Sequence, residues 1–471
     1  MKTCKTVICV LICSLIAVSA SFTGFNAEAV SLDNVKSAVE GVISYKCGQA
    51  NAQSVDGLLD SLGSTAGEFS ADWYIIALSL YGVDCRNSRA VSCLKNKVRE
   101  YYRDGISAVK VTDLQRTAFA LMACGENIRN IEGRNLLADC TYNRAEKKSL
   151  DAQGVNSVAY ALLLLDSDDF QIPEKASTTR DDMINMILDK ELEGGGFALF
   201  GSSADVDVTA IVLQALAPYR SHEKASKAID RAVSILSVRQ SSDGAYKSFS
   251  NKPSAESTAQ VALALCANGI NPISDGRFVK EGNSVMDGLM SFKLDNGAFS
   301  HFRDGESDNI ATYQSLCALV GCYRFMSGSK YFYDFKGKSY EKTSELNKVI
   351  SKKKKTVSKA STTSKTKTKK NKQSAVKATE ETQAATVLKS SAHHSTKITF
   401  SKNVKAKKKA KNPKKATVTA TSDETSQASV SAKKSSVPDN TEKGESALYI
   451  PFALIFLGYP VLVVILRRRK K

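Results

Sequence analysis

The chain has 471 residues and a formal net charge of +18 at pH 7. A length of this kind allows two or three domains, but the charge is segregated: residues 336–446 hold 28 Lys/Arg against 9 Asp/Glu, whereas residues 30–335 hold 31 against 38. The positive excess belongs to a tail, so a basic nucleic-acid-binding face on the folded part is excluded, and one mildly acidic domain is expected.

Residues 1–29 read as a secretory signal. Lys2 and Lys5 precede the apolar run Val7–Ala20, and Ala27-Glu28-Ala29 is a small-residue cleavage site, with Val18-Ser19-Ala20 as a second choice. An uncleaved N-terminal membrane helix is the alternative. Eight cysteines follow the leader: Cys47, Cys85, Cys93, Cys124, Cys140, Cys266, Cys317 and Cys322. Those within apolar helical runs read as small buried hydrophobes; if any disulfide forms, Cys85–Cys93 is the expected local pair. No Cys-x-x-Cys spacing occurs, so no metal site is expected, and no cofactor either.

From residue 30 to 340 the pattern is helical almost throughout. Ala-Leu pairs recur at Ala77-Leu78, Ala120-Leu121, Ala161-Leu162, Ala215-Leu216, Ala264-Leu265 and Ala318-Leu319, 41 to 54 residues apart. Each repeat has room for two helices and their connections. The helices carrying these pairs are apolar nearly all round, as buried helices are. The intervening ones, such as NKVREYYRDGISAV, are amphipathic. Six buried helices alternating with six half-exposed ones predict a closed ring of helical hairpins, an all-α α6/α6 toroid. An open solenoid is the alternative.

The turns repeat too. Gly194-Gly195-Gly196-Phe197, Ser242-Asp243-Gly244-Ala245-Tyr246 and Asp295-Asn296-Gly297-Ala298-Phe299 each precede a buried helix. Each glycine allows a positive-φ turn, after which the aromatic plugs the gap between hairpins. The first turn leads into Asp205-Val206-Asp207-Val208-Thr209-Ala210. At these residues the chain resembles the terpenoid-cyclase and protein-prenyltransferase α/α-toroid superfamily, whose squalene-cyclase branch carries Gly-Gly-Phe, a short loop and Asp-x-Asp-Asp-Thr-Ala. It is also similar to the helical barrels of cobalamin-carrier proteins. The resemblance covers roughly 45–335 and is strongest over 194–325.

The resemblance implies that Asp207 takes the place of the cyclase proton donor and Asp205 that of the first acidic neighbour. Val208 stands where the cyclases have a third aspartate. One tryptophan is few for a carbocation path, and an acidic domain offers no clamp for a diphosphate. From the residues alone, one of Asp205 and Asp207 caps the helix beginning near Val208. The N-termini of the buried helices converge on one mouth of a toroid, where their dipoles favour polar or anionic groups. The residues expected to line that mouth and bind ligand are Trp73, Asp113, Gln115, Asn156, Asp205, Asp207, Tyr246, Glu256, Phe299, His301, Asn309 and Tyr313.

Residues 341–446 are rich in Lys, Ser, Thr and Ala and read as a disordered stalk, either crossing an anionic cell wall or merely spacing the domain from the membrane. Residues 447–466 are a run of 20 uncharged residues, long enough to span a bilayer, and the basic residues 467–471 stay inside. The expectation is a single-pass, C-terminally anchored bacterial surface protein with its toroid outside. That toroid would bind a ligand in its lumen (a small hydrophobic or corrinoid-like nutrient, a glycan or a protein). Two other functions stay open: an extracytoplasmic cyclase- or transferase-like enzyme with Asp207 as acid, and a structural adhesin with a plugged lumen.

Overall fold

The computed structural model describes residues 30–106, 109–144, 149–247, 250–329 and 331–352. The expected leader at 1–29, the membrane anchor at 447–466, the tail at 467–471 and all but the first part of the stalk lie outside the described residues. The chain is mostly helical. Its helices, in order, are α1 Leu32–Gln49, α2 Val55–Gly63, α3 Phe69–Tyr81, α4 Arg89–Arg103, α5 Val111–Ala123, α6 Leu136–Cys140, α7 Val155–Asp166, α8 Arg180–Leu188, α9 Val206–Leu216, α10 Glu223–Arg239, α11 Ala255–Ala267, α12 Val285–Met290 and α13 Asn309–Met326. No described helix is long and apolar enough to cross a membrane.

The all-round apolar helices are the buried ones. In α3 every residue from Ala71 to Tyr81 is buried, and in α9 every residue is. By contrast, α4 buries only Ala90, Leu94, Val98 and Tyr101, one face of a 3.6-residue period. Packing follows the repeat: α3 lies on α5, α5 on α7, α7 on α9, α9 on α11, α11 on α13, and α13 on α3. Hairpin partners pack as well, α10 against α9 and α8 against α7.

Three turns share one mechanism. The Phe197 N–H donates to Thr209 Oγ1 at 3.0 Å, Tyr246 N–H to Thr258 Oγ1 at 3.0 Å, and Phe299 N–H to Thr312 Oγ1 at 3.1 Å. Each threonine is the fourth residue of α9, α11 or α13. The bond pins the turn to the helix it precedes and seats the aromatic ring, in each case fully buried. Gly244 (φ +82°) lies so close to α12 that an added Cβ would sit 2.0 Å from Ser284 O, and a Cβ on Gly297 (φ +94°) would sit 2.5 Å from Gly41 O. Only glycine permits both that φ and that approach.

The eight cysteines are free, Cys85 and Cys93 included, and all but Cys93 are buried, as small hydrophobes in apolar runs are. Two expectations need correction. The chain is not purely helical, because Tyr246–Lys247 pairs with Pro253–Ser254 and Val279–Lys280 with Asn283–Ser284 in two antiparallel ribbons. Folded structure runs beyond 340: residues 342–352 are helical, bury Leu346 and Ile350, and accept the Val55 N–H at Asn347 Oδ1 (2.8 Å). Among the described residues, Trp73, Tyr160, Gln260, Tyr313, Cys317 and Tyr333 surround a cavity of about 20 Å³ between the buried helices. The Tyr333 ring lies 5.0 Å from Phe119 and 6.4 Å from Trp73 between centroids. Its segment is held at the C-terminal ends of the buried helices, where the Phe335 N–H donates to Ser167 O and the Arg324 guanidinium donates to Phe332 O and Asp334 O.

Candidate functional site

The site begins at the turn into α9. Gly195 (φ +84°) and Gly196 (φ +72°) reverse the chain, and the Asp205 N–H donates back to Phe197 O at 2.8 Å. Asp205 is thereby placed as the N-cap of α9, its Oδ1 accepting the Val208 N–H at 2.8 Å. The helix starts at Val206, two residues before the expected start. Asp207, in the first turn, has no capping role. Its side chain is buried beside Ser257 of α11, and its Oδ1 has no partner among the described residues.

Asp205 and Asp207 share the wall of an open hollow of about 520 Å³ with Phe200, Ser203, Arg239, Lys247, Asn251 and Ser257. Burial, and then the charge of Asp205, hold the Asp207 carboxyl well above its ordinary value. Burial also lifts Asp205, against the opposing N–H groups of Val208 and Asp207 and the charge of Arg239. Burial thus raises both carboxyls, and more strongly Asp207, which lacks the backbone N–H groups that oppose the rise at the helix-capping Asp205. Beside them, buried Glu256 in the first turn of α11 meets His301 Nδ1 at 2.8 and 2.9 Å. The hydrogen bond to Glu256 raises the His301 imidazole, while burial raises Glu256 and His301 opposes that rise.

The other expected site residues disperse. Trp73 and Tyr313 line the small cavity beside Tyr333, with Trp73 Nε1 and Tyr313 Oη unpartnered. Tyr246 and Phe299 are the buried plugs of their turns, the Tyr246 hydroxyl donating to Leu236 O at 2.9 Å. Gln115 is spent on the core, its Nε2 donating to Cys140 O and Ser157 O. Asp113 accepts from Arg116 at 2.6 Å, and Arg116 also reaches buried Asp72 at 3.0 Å. Asn156 is buried in α7 with its Oδ1 unpartnered. Asn309 is exposed and accepts from the Tyr74 hydroxyl at 3.2 Å. Asp205 and Asp207 come together at the hollow, with Glu256 and His301 paired beside them, and Trp73 and Tyr313 come together at the small cavity.

Sequence reasoning missed Phe200, Arg239, Lys247, Asn251 and Ser257. Ser257 had a signal, since it follows Glu256 at the position matching Val208 in the neighbouring repeat. No group of three or more His, Cys, Asp or Glu among the described residues is arranged to hold a metal.

No family model matches this chain, and no curated protein matches it significantly.

Proposed function

We propose that this protein is a membrane-anchored bacterial surface protein whose helical domain is an α6/α6 toroid and binds a ligand, without catalysis, in the hollow beside Asp207. The cycle of packing from α3 to α13 and back to α3 supports a closed ring. The signal-like start, the Lys-rich stretch and the apolar run at 447–466 support the surface placement. The observation that carries the binding reading is Asp207 itself. A carboxyl oxygen shut away from water without a partner destabilises the fold by about 1–3 kcal/mol, a cost that packing does not explain, and Asp207 lies on the wall of an open hollow.

Acid catalysis has less support. A cyclase needs an acid that gives up its proton readily, and burial together with Asp205 holds the Asp207 proton more tightly. The aromatic residues that would steady a cation line the separate 20 Å³ cavity. That filled centre favours the adhesin reading, which provides no account of the hollow.

A thermal-shift screen of the purified protein against soluble nutrients, sugars and short peptides tests the proposal. A compound at 100 times its Kd should add about 2.7 kcal/mol of stability, and Asp207→Leu should abolish the shift. If no compound raises the wild-type Tm, or if Asp207→Leu responds equally, the ligand-binding reading fails.

A further inference from the structure

Residues 331–352 form a strap across the C-terminal ends of three successive buried helices. The Phe335 N–H donates to Ser167 O at 2.8 Å, just beyond α7. The Lys338 ammonium donates to Met122 O at 2.9 Å, in the last turn of α5. The Lys342 N–H donates to Gly82 O at 3.0 Å, just beyond α3. Since α7 packs on α5 and α5 on α3, the strap touches neighbouring helix ends in turn. Residues 342–352 then bury Leu346 and Ile350, and Asn347 Oδ1 accepts the Val55 N–H.

The strap is held more loosely than the helices beneath it. From 331 to 341 it has no helix or ribbon of its own, whereas each of the six buried helices has its own hydrogen-bond ladder and packs on two others. Its ion pairs, Lys336–Asp169 and Lys36–Glu345, are partly exposed, and such pairs contribute little. Its main attachment is the burial of Phe332, Tyr333 and Phe335 against Phe119, Tyr160 and Trp73. A segment fixed by a few buried side chains and single backbone bonds opens at lower free energy than the core it lies on. The bonds also lie in series. A pull from the side of residue 352 loads Lys342 first, then Lys338, then Phe335, so they yield one at a time.

We propose that residues 331–352 are a latch, opened by a pull on the chain beyond 352 while the buried helices stay folded. The surface placement proposed above supplies such a pull, because load between the helical domain and a C-terminal anchor passes through this strap. The latch itself does not depend on that placement. Opening withdraws Tyr333 from the small cavity and uncovers two thiols. Cys85 is fully buried between Asp84, whose N–H donates to Thr343 Oγ1, and Arg86, whose guanidinium lies over the Tyr340 ring. Cys124, also buried, follows two residues after Met122, and the Lys338 charge acts on both thiols. Cys140 is as deeply buried, but in α6, its thiol donating to Leu137 O of the same helix.

The test uses the purified full chain in detergent. Brief labelling with N-ethylmaleimide, in urea below the unfolding transition, is read cysteine by cysteine by mass spectrometry. Cys85 and Cys124 should react at least about tenfold faster than Cys140. Phe335→Ala removes the ring stacked on Phe119 and should speed both by at least about another tenfold, with Cys140 unchanged. In optical tweezers, with the chain held at Val30 and at its C terminus, the first step should come at a lower force than the rest. It should release up to roughly 75 Å, the extended length of residues 331–352, and Phe335→Ala should lower its force. The proposal is overturned if the three thiols react at one rate, if Phe335→Ala changes none of them or all alike, or if pulling shows no separate first step.

Discussion

The close approach of the Gly244 turn to α12 yields a prediction whose sign is opposite to the ordinary helix rule. Gly288 lies inside α12 with helical dihedrals, so replacing it by alanine should favour the helix by up to about 1 kcal/mol. In the folded protein, however, the new Cβ would meet Gly244 C at 2.4 Å, Ala245 N at 2.5 Å and Gly244 O at 2.6 Å. Ordinary contact begins at 3.4 Å, and all three atoms are backbone, so turn and helix must separate by nearly an ångström. That turn is tied down by the Tyr246 N–H bond to Thr258 and by the fully buried Tyr246 ring. Overpacking of this kind costs roughly 1–3 kcal/mol, and loss of the Thr258 bond adds about 1. Net of the helix gain, Gly288→Ala should destabilise by about 1–3 kcal/mol, a fall in Tm of roughly 2–4 °C per kcal/mol for a domain of this size. Gly48→Ala is the matched control, since Gly48 is also helical and nothing lies within 4 Å of its added Cβ. It should stabilise by about 0.5–1 kcal/mol. Urea melts of both variants by circular dichroism decide the matter. A Gly288→Ala protein as stable as wild type would refute the close approach.

Thr258→Val should leave the Tyr246 N–H buried without an acceptor and lower stability by about 1–3 kcal/mol in urea melts, with Thr209→Val and Thr312→Val behaving alike. Tyr333→Ala should enlarge the 20 Å³ cavity and cost about 3–5 kcal/mol, and the variant alone should take up p-cresol, followed by tryptophan fluorescence from Trp73. The His301–Glu256 pair makes stability depend on pH. The contribution of His301, held up by its hydrogen bond to Glu256 and by the charges of Glu256 and Asp308, is complete below 6.5 and is lost as the pH rises through the higher value in the fold. Buried Glu256 adds to this trend, because its ionisation above 4.5 opposes folding, with His301 and a backbone N–H offsetting part of the burial. Wild-type stability should therefore fall as the pH rises above 6.5, and His301→Gln should flatten that slope; an unchanged slope would show the pair to be without consequence.

The glycine turns were readable because positive φ and close backbone contact restrict the residue sharply. The same reasoning did not say which way the following aromatic faces. Tyr246 and Phe299 read equally well as mouth-lining rings or buried plugs, and the deciding bond comes from a threonine 12 or 13 residues further on. The hollow was legible only in its α9 half. Asp205 and Asp207 sit on one recognisable stretch, whereas Arg239 comes from the far end of α10 and Asn251 from a loop, joined to the site by tertiary packing alone. Tyr333 escaped for a related reason, since a short aromatic run outside any repeat does not announce that it closes a cavity between helices far away in sequence. Residues 342–352 read as stalk because a lysine-rich background hides a two-residue apolar stripe, Leu346 and Ile350, one helical turn apart.

The packing of α13 against α3 sets an order of events during synthesis. Tyr74 and Asn309, which share a hydrogen bond, are 235 positions apart. At about 5–20 residues per second, the N-terminal hairpins wait roughly 10–50 s for the partner of α3 to emerge. The turns on α9, α11 and α13 can form at once, because each is tied to a threonine close by in sequence. Through that interval, Phe69 and Tyr74, which rest on Tyr313 of α13, have no cover on that face. The vulnerable species in the life of this protein is thus a nascent chain with an apolar flank open on α3, and a chaperone that shields helices would act there rather than on the finished fold.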